Sequence, residues 1–205
     1  MIAQATLDIP RTEELREIVG EALQTYVPAG TGMRASLLAA VPPPWIQVGT
    51  RRVLDLFLAP LARSPDWKRL YIVSPWISNI TEGASMTLSQ LLRRVTDDRA
   101  MVYVVTRPPE DSVHQDAIDQ LGATNRANVA IVPNLHMKLF TAQTAFGSFA
   151  MLGSANFTQG SLSNAELGVL VNDYGDGKHV LASLNREASQ AYRLPGRQLI
   201  YRATF

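Results

Sequence analysis

The sequence predicts an α/β fold in which a mixed, largely parallel β-sheet is flanked by helices on both faces. Two observations support this prediction. Compact apolar runs rich in strand-forming residues alternate with amphipathic stretches of helical periodicity. Uninterrupted apolar runs of this kind are typical of strands that helices cover on both sides. With 205 residues, 46% of them hydrophobic, the chain is long enough to bury one good core.

The first forty residues stand apart from this alternation. Thr12 is suited to cap a helix that ends before Pro28, and a second short helix is expected over 31–40. Val41 is followed by three prolines, which make the clearest break in the sequence. A helical segment of this size cannot bury a core alone. We therefore divide the chain into an N-terminal helical segment, 1–40, and a folded domain, 41–205.

Helices and strands follow one another after the prolines. Each helix shows apolar residues at helical spacing, and each strand is a short run of strand formers closed by turn residues. Helices are predicted over Arg51–Ala62, Ser85–Val95, Glu110–Leu121 and Lys178–Arg193. Strands are predicted over Leu70–Val73, Ala100–Val105, Val129–Val132, Lys138–Thr141, Phe149–Leu152 and Leu167–Val171.

Composition and charge exclude several classes of protein. The net charge of +1 excludes a bulk polycation but leaves room for a local basic groove. The absence of cysteine excludes a disulfide scaffold, a thiolate metal site and a cysteine nucleophile. No apolar run approaches membrane-spanning length, and the early charged residues are unlike a signal peptide. A cytoplasmic protein without a membrane partner is expected.

Polar residues cluster in the segments 135–139, 153–156 and 164–166. His136 and Lys138 are two residues apart, as are Ser154 and Asn156, and residues two apart in a strand share a face. If both pairs lie at strand ends, one face offers an imidazole, an ammonium, a hydroxyl and an amide. Such groups suit an oxyanion such as phosphate. Glu166 could hold His136 in one tautomer.

These three clusters resemble the signature of the phospholipase D superfamily. In its commonest form the signature is His-x-Lys-x4-Asp, then Gly-Ser-x-Asn, then a downstream Glu. The resemblance runs from Leu135 to about Val171, and the Asp position, usually read as structural, is occupied by Gln143. It implies a phospholipase D-like catalytic domain over 41–205 that needs neither a metal nor another cofactor. The catalytic residues implied are His136, Lys138, Ser154, Asn156 and Glu166.

The resemblance also implies a two-step phosphodiester transfer. One His attacks phosphorus and forms a phosphohistidine, while a second His protonates the leaving oxygen and then activates water. This chain has three His, and only His136 lies in the motif. His114 and His179 are expected to be solvent-exposed bystanders. Short family members with one motif pair two subunits across a two-fold axis, so a homodimer is implied. Such short members are mostly nucleases, which implies DNA or RNA as the substrate.

Three further residues are candidates for substrate binding, each with a plainer alternative. Trp76 follows a strand end and could stack on a base or serve packing. Arg107 follows the next strand and could meet a phosphate backbone or be an ordinary surface arginine. Asn164 could belong to the site or to a turn. Three pairs of basic residues could lie on solvated helix faces or form a surface along which DNA binds. They are Arg51-Arg52, Lys68-Arg69 and Arg93-Arg94.

Two other functions stay open at this point. A phospholipase D-type lipid hydrolase would share the motif, although the chain is short and shows no amphipathic membrane-binding face. A non-catalytic module for nucleic-acid binding or assembly in a defence complex would keep the fold, and Gln143 gives this reading some support. A short nuclease of this family would suit an antiviral system, with a partner protein docking on residues 1–40.

Overall fold

The computed structural model describes residues 45–64, 67–80, 100–145 and 147–204, which form one eight-stranded sheet with helices on both faces. The strands are β1 (Ile46–Arg51), β2 (Trp67–Val73), β3 (Met101–Thr106), β4 (Ala127–Ile131), β5 (Leu139–Thr144), β6 (Gly147–Gly153), β7 (Ala165–Asn172) and β8 (Gln198–Tyr201). The helices are α1 (Val53–Arg63), α2 (Ser112–Gly122), α3 (Gly160–Ser163) and α4 (Gly177–Tyr192). The helices predicted within residues 1–40 and over Ser85–Val95 lie outside the described residues.

The strand order is β1-β7-β6-β5-β2-β3-β4-β8. Only β2–β3 and β3–β4 are parallel, and the other neighbours are antiparallel. The mixed α/β sheet is confirmed, but the expectation that it is largely parallel is corrected. Parallel neighbours need a crossover of a dozen or more residues. The β5–β6 turn and the connection over 132–138 are too short to provide one, so these strands pair with antiparallel partners.

Two core layers follow from the alternation of side chains along the strands. Leu70 and Ile72 of β2 belong to the larger core, which residues of α1 and α2 complete. Tyr71 and Val73 of the same strand point to the other face, where α4 packs. Strands that are apolar on both faces need helices on both sides of the sheet to remove those faces from water. Within the described ranges, no helix combines the length and apolar character needed to cross a membrane.

One edge of the sheet gathers the segments that carry the polar motifs. Strands β1, β2, β3, β4 and β6 end at this edge, and β5 and β7 begin there. Leu139, the first residue of β5, pairs with Val73 on one side and Leu152 on the other. Arg51, the last residue of β1, pairs with Ala165, the first of β7. We call this the polar edge.

Candidate active site

The polar edge brings together most of the residues that the sequence singled out. They follow or precede the strands named above: Trp76 after β2, Arg107 after β3, His136 and Lys138 before β5, Ser154 and Asn156 after β6, and Glu166 at the start of β7. These segments are separated by up to ninety positions in the chain, and strand order alone makes them neighbours.

The loop that carries His136 crosses the ends of two other strands. It joins β4 to β5, and the strand order places β3 and β2 between them. Leu135 is buried and anchors the loop, whereas His136 is exposed. The Lys138 ammonium donates a hydrogen bond to the His136 carbonyl oxygen at 3.1 Å. Both residues directly precede β5, which begins at Leu139, one residue later than the predicted start at Lys138.

Arg107 holds this loop in place. Its Nε donates to the Leu135 carbonyl oxygen at 2.6 Å, and its guanidinium carbon lies 5.0 Å from the centroid of the Trp76 ring. Its backbone N–H donates to Pro75 O at 3.2 Å, which ties the ends of β2 and β3 together. Arg107 is therefore no ordinary surface arginine, because it links the loop of His136 to the strand ends beneath it.

Ser154 and Glu166 are joined where β6 meets β7. The Ser154 N–H donates to Leu167 O at 2.9 Å, and the Leu167 N–H returns a bond to Ser154 Oγ at 3.0 Å. The Ser154 hydroxyl donates to the Glu166 carboxylate, which also accepts from the Ser161 hydroxyl at 3.3 Å. Within the described chain no hydrogen bond joins Glu166 to His136. A role for Glu166 in holding His136 in one tautomer stays a prediction.

Asn156 is held by the backbone around it while its side-chain oxygen stays unpaired. Its carbonyl accepts from the Thr158 N–H at 2.9 Å, and the next residue, Phe157, forms a parallel bridge with Ile77. The buried Asn156 Oδ1 has no hydrogen-bond partner in the described chain. Buried polar atoms are seldom left unpaired, and those that are often belong to functional sites. These backbone contacts fix the position of Asn156, and its catalytic role stays a prediction.

Charges at the polar edge act on Lys138. Burial lowers the pKa of the Lys138 ammonium, the nearby Arg107 guanidinium lowers it further, and the Glu166 carboxylate opposes both. These three side chains therefore lie within electrostatic range of one another. The site combines two cations with one carboxylate, which favours binding of an anion.

Asn164 lies to one side of this group. It follows α3, is exposed, and its N–H donates to Gly160 O at 3.1 Å, which closes the turn. Its side chain lines a separate cavity beside β1 rather than the surroundings of His136 and Lys138. The backbone of Asn164 thus closes a turn, as one of its two interpretations expected. If Asn164 also binds substrate, it does so in that cavity.

His114 is buried, which corrects the expectation of a solvent-exposed bystander. Its Nε2 lies 2.9 Å from Thr106 Oγ1, whose hydroxyl donates to Pro75 O at 3.0 Å. Burial lowers the pKa of His114, and the carboxylates of Asp111 and Glu110 oppose that shift. A neutral imidazole thus supports the ends of β2 and β3.

Gln143, at the position of the family Asp, lies away from the polar edge. It is near the far end of β5, where it faces Arg69 of β2. Gln143 is five positions from Lys138, a distance of about 17 Å at the rise of an extended chain. Arg69 Nε is buried without a hydrogen-bond partner. Gln143 therefore belongs to the scaffold opposite Arg69 and lies outside the polar edge.

Ser161 and Ser74 are supporting residues that sequence reasoning missed. Ser161 is buried and donates to Glu166, and the buried Ser74 hydroxyl accepts from the Phe157 N–H at 2.9 Å. Ser74 precedes a proline and Ser161 follows a glycine, so the sequence does not separate them from ordinary turn formers. Across the four described ranges, no group of three or more His, Asp or Glu side chains is placed to hold a metal ion.

Comparison with known proteins identifies the fold. A phospholipase D family member, Nuc from Salmonella typhimurium, superposes with a TM-score of 0.58 at 13% identity, covering 76% of this chain and 97% of that one. NucT from Helicobacter pylori gives 0.51 at 12% identity, covering 72% and 93%. Polyphosphate kinase from Porphyromonas gingivalis also gives 0.51, at 10% identity, but only 26% of that chain is covered and 82% of this one. No protein-family model and no curated protein sequence matches the chain. The described chain has the phospholipase D-like fold that its motifs predicted.

Proposed function

We propose that the protein is a metal-independent phosphodiesterase of the nuclease type, cleaving DNA or RNA through a phosphohistidine in a site shared by two copies. One observation carries the proposal: the fold gathers three separate motif segments, 136–138, 154–156 and Glu166, at one edge of the sheet. His136, Lys138, Ser154, Asn156 and Glu166 all lie there. The similarity of fold to the phospholipase D family member Nuc supports it.

In the first step, an imidazole nitrogen of His136 attacks the phosphorus atom. A P–N bond forms as the P–O bond to the leaving nucleotide breaks. The leaving oxygen takes a proton from a second imidazole. Lys138 neutralises charge on the non-bridging oxygens, and the Asn156 amide donates hydrogen bonds to them. Exposure of His136 at the polar edge leaves the imidazole accessible to a long substrate.

In the second step, water attacks the phosphohistidine and the P–N bond breaks. The imidazole that protonated the leaving group now takes the proton from water, so both groups return to their starting states. One chain supplies a single His136 to the site. His114 is buried beneath the ends of β2 and β3, where its ring is 2.9 Å from Thr106 Oγ1, and His179 lies on α4, which begins at the opposite end of the sheet. The second imidazole is His136 of a second copy, placed by a two-fold axis.

The remaining residues position these groups or extend the site. Because the Ser154 hydroxyl is bonded to Glu166, Ser154 and Glu166 act together to hold the β6–β7 junction next to the reacting groups. Arg107 holds the loop of His136 and adds positive charge. Trp76 presents an aromatic ring beside Arg107, a surface on which a base can stack.

The test is cleavage in the presence of EDTA. Purified protein is assayed on single-stranded DNA, double-stranded DNA and RNA, and on a choline phospholipid. We expect cleavage of at least one nucleic acid, lost in His136→Ala and retained in His179→Ala. His179 is the matched control because it is exposed on α4, as predicted, and outside the polar edge.

Other results of this assay would contradict the mechanism or favour one of the alternative functions. Cleavage that needs added divalent metal, or that persists in His136→Ala, contradicts the phosphohistidine mechanism. Cleavage of the lipid without any nucleic acid favours the lipid hydrolase, and binding without cleavage favours the non-catalytic module. A partner protein on residues 1–40 and a role in antiviral defence remain predictions from the sequence.

The shared site has its own test. Wild-type and His136→Ala chains are unfolded together in equal amounts, refolded and assayed, with the mass in solution measured alongside. If each site needs two intact copies, only the wild-type homodimers are active, and activity falls to about one quarter by random pairing. Independent sites would retain about one half. An active monomer contradicts the shared site outright.

A further inference from the structure

We propose that a cavity beside the polar edge binds the phosphate backbone of a nucleic-acid strand on one side of the scissile phosphate. This inference rests on the proposed function, because it extends the same site. The cavity measures about 480 Å³ and is lined by Arg51, Arg52, Leu162, Ser163, Asn164 and Ala165.

The cavity shares a wall with the candidate active site. Arg51 ends β1 opposite Ala165, and Ala165 directly precedes Glu166. The other wall is the end of α3, whose Ser161 donates to Glu166. The cavity and the surroundings of Glu166 therefore adjoin each other through Ala165 and α3.

The residues that line the cavity suit a phosphodiester together with its attached sugar. Arg51 is exposed and supplies a guanidinium, and the exposed Asn164 offers an amide. The Ser163 hydroxyl donates to Gly160 O at 3.1 Å, which leaves its oxygen as an acceptor. Leu162 is buried and gives an apolar floor. The lining residues of the described chain include no carboxylate. Cation, hydrogen-bond donors and an apolar surface together match the backbone of a nucleic acid better than a small inorganic anion.

The backbone at Arg52 supports a role for this corner of the fold. Arg52 precedes α1 in a left-handed conformation, with φ at 48°, and its Nε pairs with Asp55 at 2.6 Å. A residue other than glycine pays about 1 kcal/mol or more for this conformation, and such residues cluster at binding sites. The strained turn directs the chain from β1 into α1 and sets Arg51 at the mouth of the cavity.

Strand spacing gives the distance that a substrate must span. Three strand spacings separate β1 from β5, about 14 Å at the usual separation of neighbouring strands. A stacked strand rises about 3.4 Å per nucleotide, so about four nucleotides bridge Lys138 and Arg51. A small diester bound at His136 does not reach the cavity, whereas an oligonucleotide does.

The experiment compares a small diester with an oligonucleotide. Kinetics are measured on bis(p-nitrophenyl) phosphate and on a 12-nucleotide single strand, and binding of the 12-mer is followed by fluorescence anisotropy at several salt concentrations. Loss of one charge-assisted contact in Arg51→Gln raises KM for the 12-mer about fivefold relative to KM for the small diester. The slope of log affinity against log salt becomes shallower by about 0.7.

Two further variants sharpen the result. Arg63→Gln removes an exposed arginine at the other end of α1 and is expected to keep the wild-type salt slope. Arg51→Lys retains the charge and is expected to restore the slope. Equal effects of Arg51→Gln and Arg63→Gln overturn the inference, as does an equal loss on both substrates. If the wild type cleaves neither diester, the proposed function fails, while anisotropy still reports whether Arg51 binds the strand.

Discussion

Replacing Gly153 by Ala tests whether the close contact of β6 and β7 holds the site. A Cβ atom at Gly153 would lie 2.0 Å from the Leu167 carbonyl oxygen and 3.0 Å from Gly168 Cα. Both obstacles are backbone atoms, so no side-chain rotation relieves the clash. The two strands must separate locally by about 1 Å to restore a tolerable contact distance. That movement acts directly on Ser154, which exchanges two hydrogen bonds with Leu167.

The expected effect follows from these contacts. A misplacement of about 1 Å near reacting groups costs roughly 100-fold in turnover. Loss of both Ser154–Leu167 hydrogen bonds costs about 2 kcal/mol in the free energy of unfolding. The assays are kcat on a chromogenic diester and urea unfolding, with the folded state confirmed by circular dichroism.

Gly175→Ala provides the matched control. Gly175 has φ at +53° with no atom within 4 Å of an added Cβ, in the turn between β7 and α4 at the opposite end of the sheet. Ala there strains the backbone by about 1 kcal/mol and leaves the polar edge untouched. If Gly153→Ala turns over substrate within threefold of wild type, the close approach of β6 and β7 does not position the site, and the reasoning fails.

Two further predictions concern stability. Burial lowers the pKa of His114, so the stability contributed by its neutral form is complete above its ordinary value of 6.5 and is lost as pH falls below it. His114→Gln should reduce the loss of unfolding free energy between pH 7.5 and 5.5 by at most about 1.4 kcal/mol, and an unchanged pH dependence in urea titrations contradicts this. Gln143→Asp places a carboxylate opposite the unpaired Arg69 Nε and should add about 0.5–1 kcal/mol without changing turnover. If the melting temperature of Gln143→Asp is at or below that of the wild type, the Arg69 guanidinium does not reach the new carboxylate.

The location of the candidate site residues was largely predictable, because they lie next to strand ends. The pairs His136 and Lys138, and Ser154 and Asn156, follow turn signals in the sequence, and the structure places both pairs at one edge of the sheet. The contact made by Glu166 was not predictable. Which partner its carboxylate meets depends on α3, a four-residue helix too short to show periodicity.

Prediction of the fold failed where the sequence signal is weak or non-local. The outer strands β1 and β8 were missed because their residues are mostly exposed or half-buried and form no apolar run. His114 was misjudged because helix α2 buries one face against the sheet, and the periodicity around His114 did not show which face. The proportion of parallel pairing was overestimated because strand order cannot be read from local patterns.

By itself, the sequence determined the chemistry available to this protein, namely an imidazole, an ammonium, an amide and a carboxylate at set spacings, with one His136 per chain. Residue identity and spacing are local properties, so they can be read from the sequence without knowing the fold. Only the tertiary structure decided that Arg107 clamps the loop of His136, that Ser154 holds Glu166, and that Arg51 opens a cavity beside them. These contacts join segments far apart in the chain, and hydrogen bonds between strands, not sequence spacing, bring those segments together.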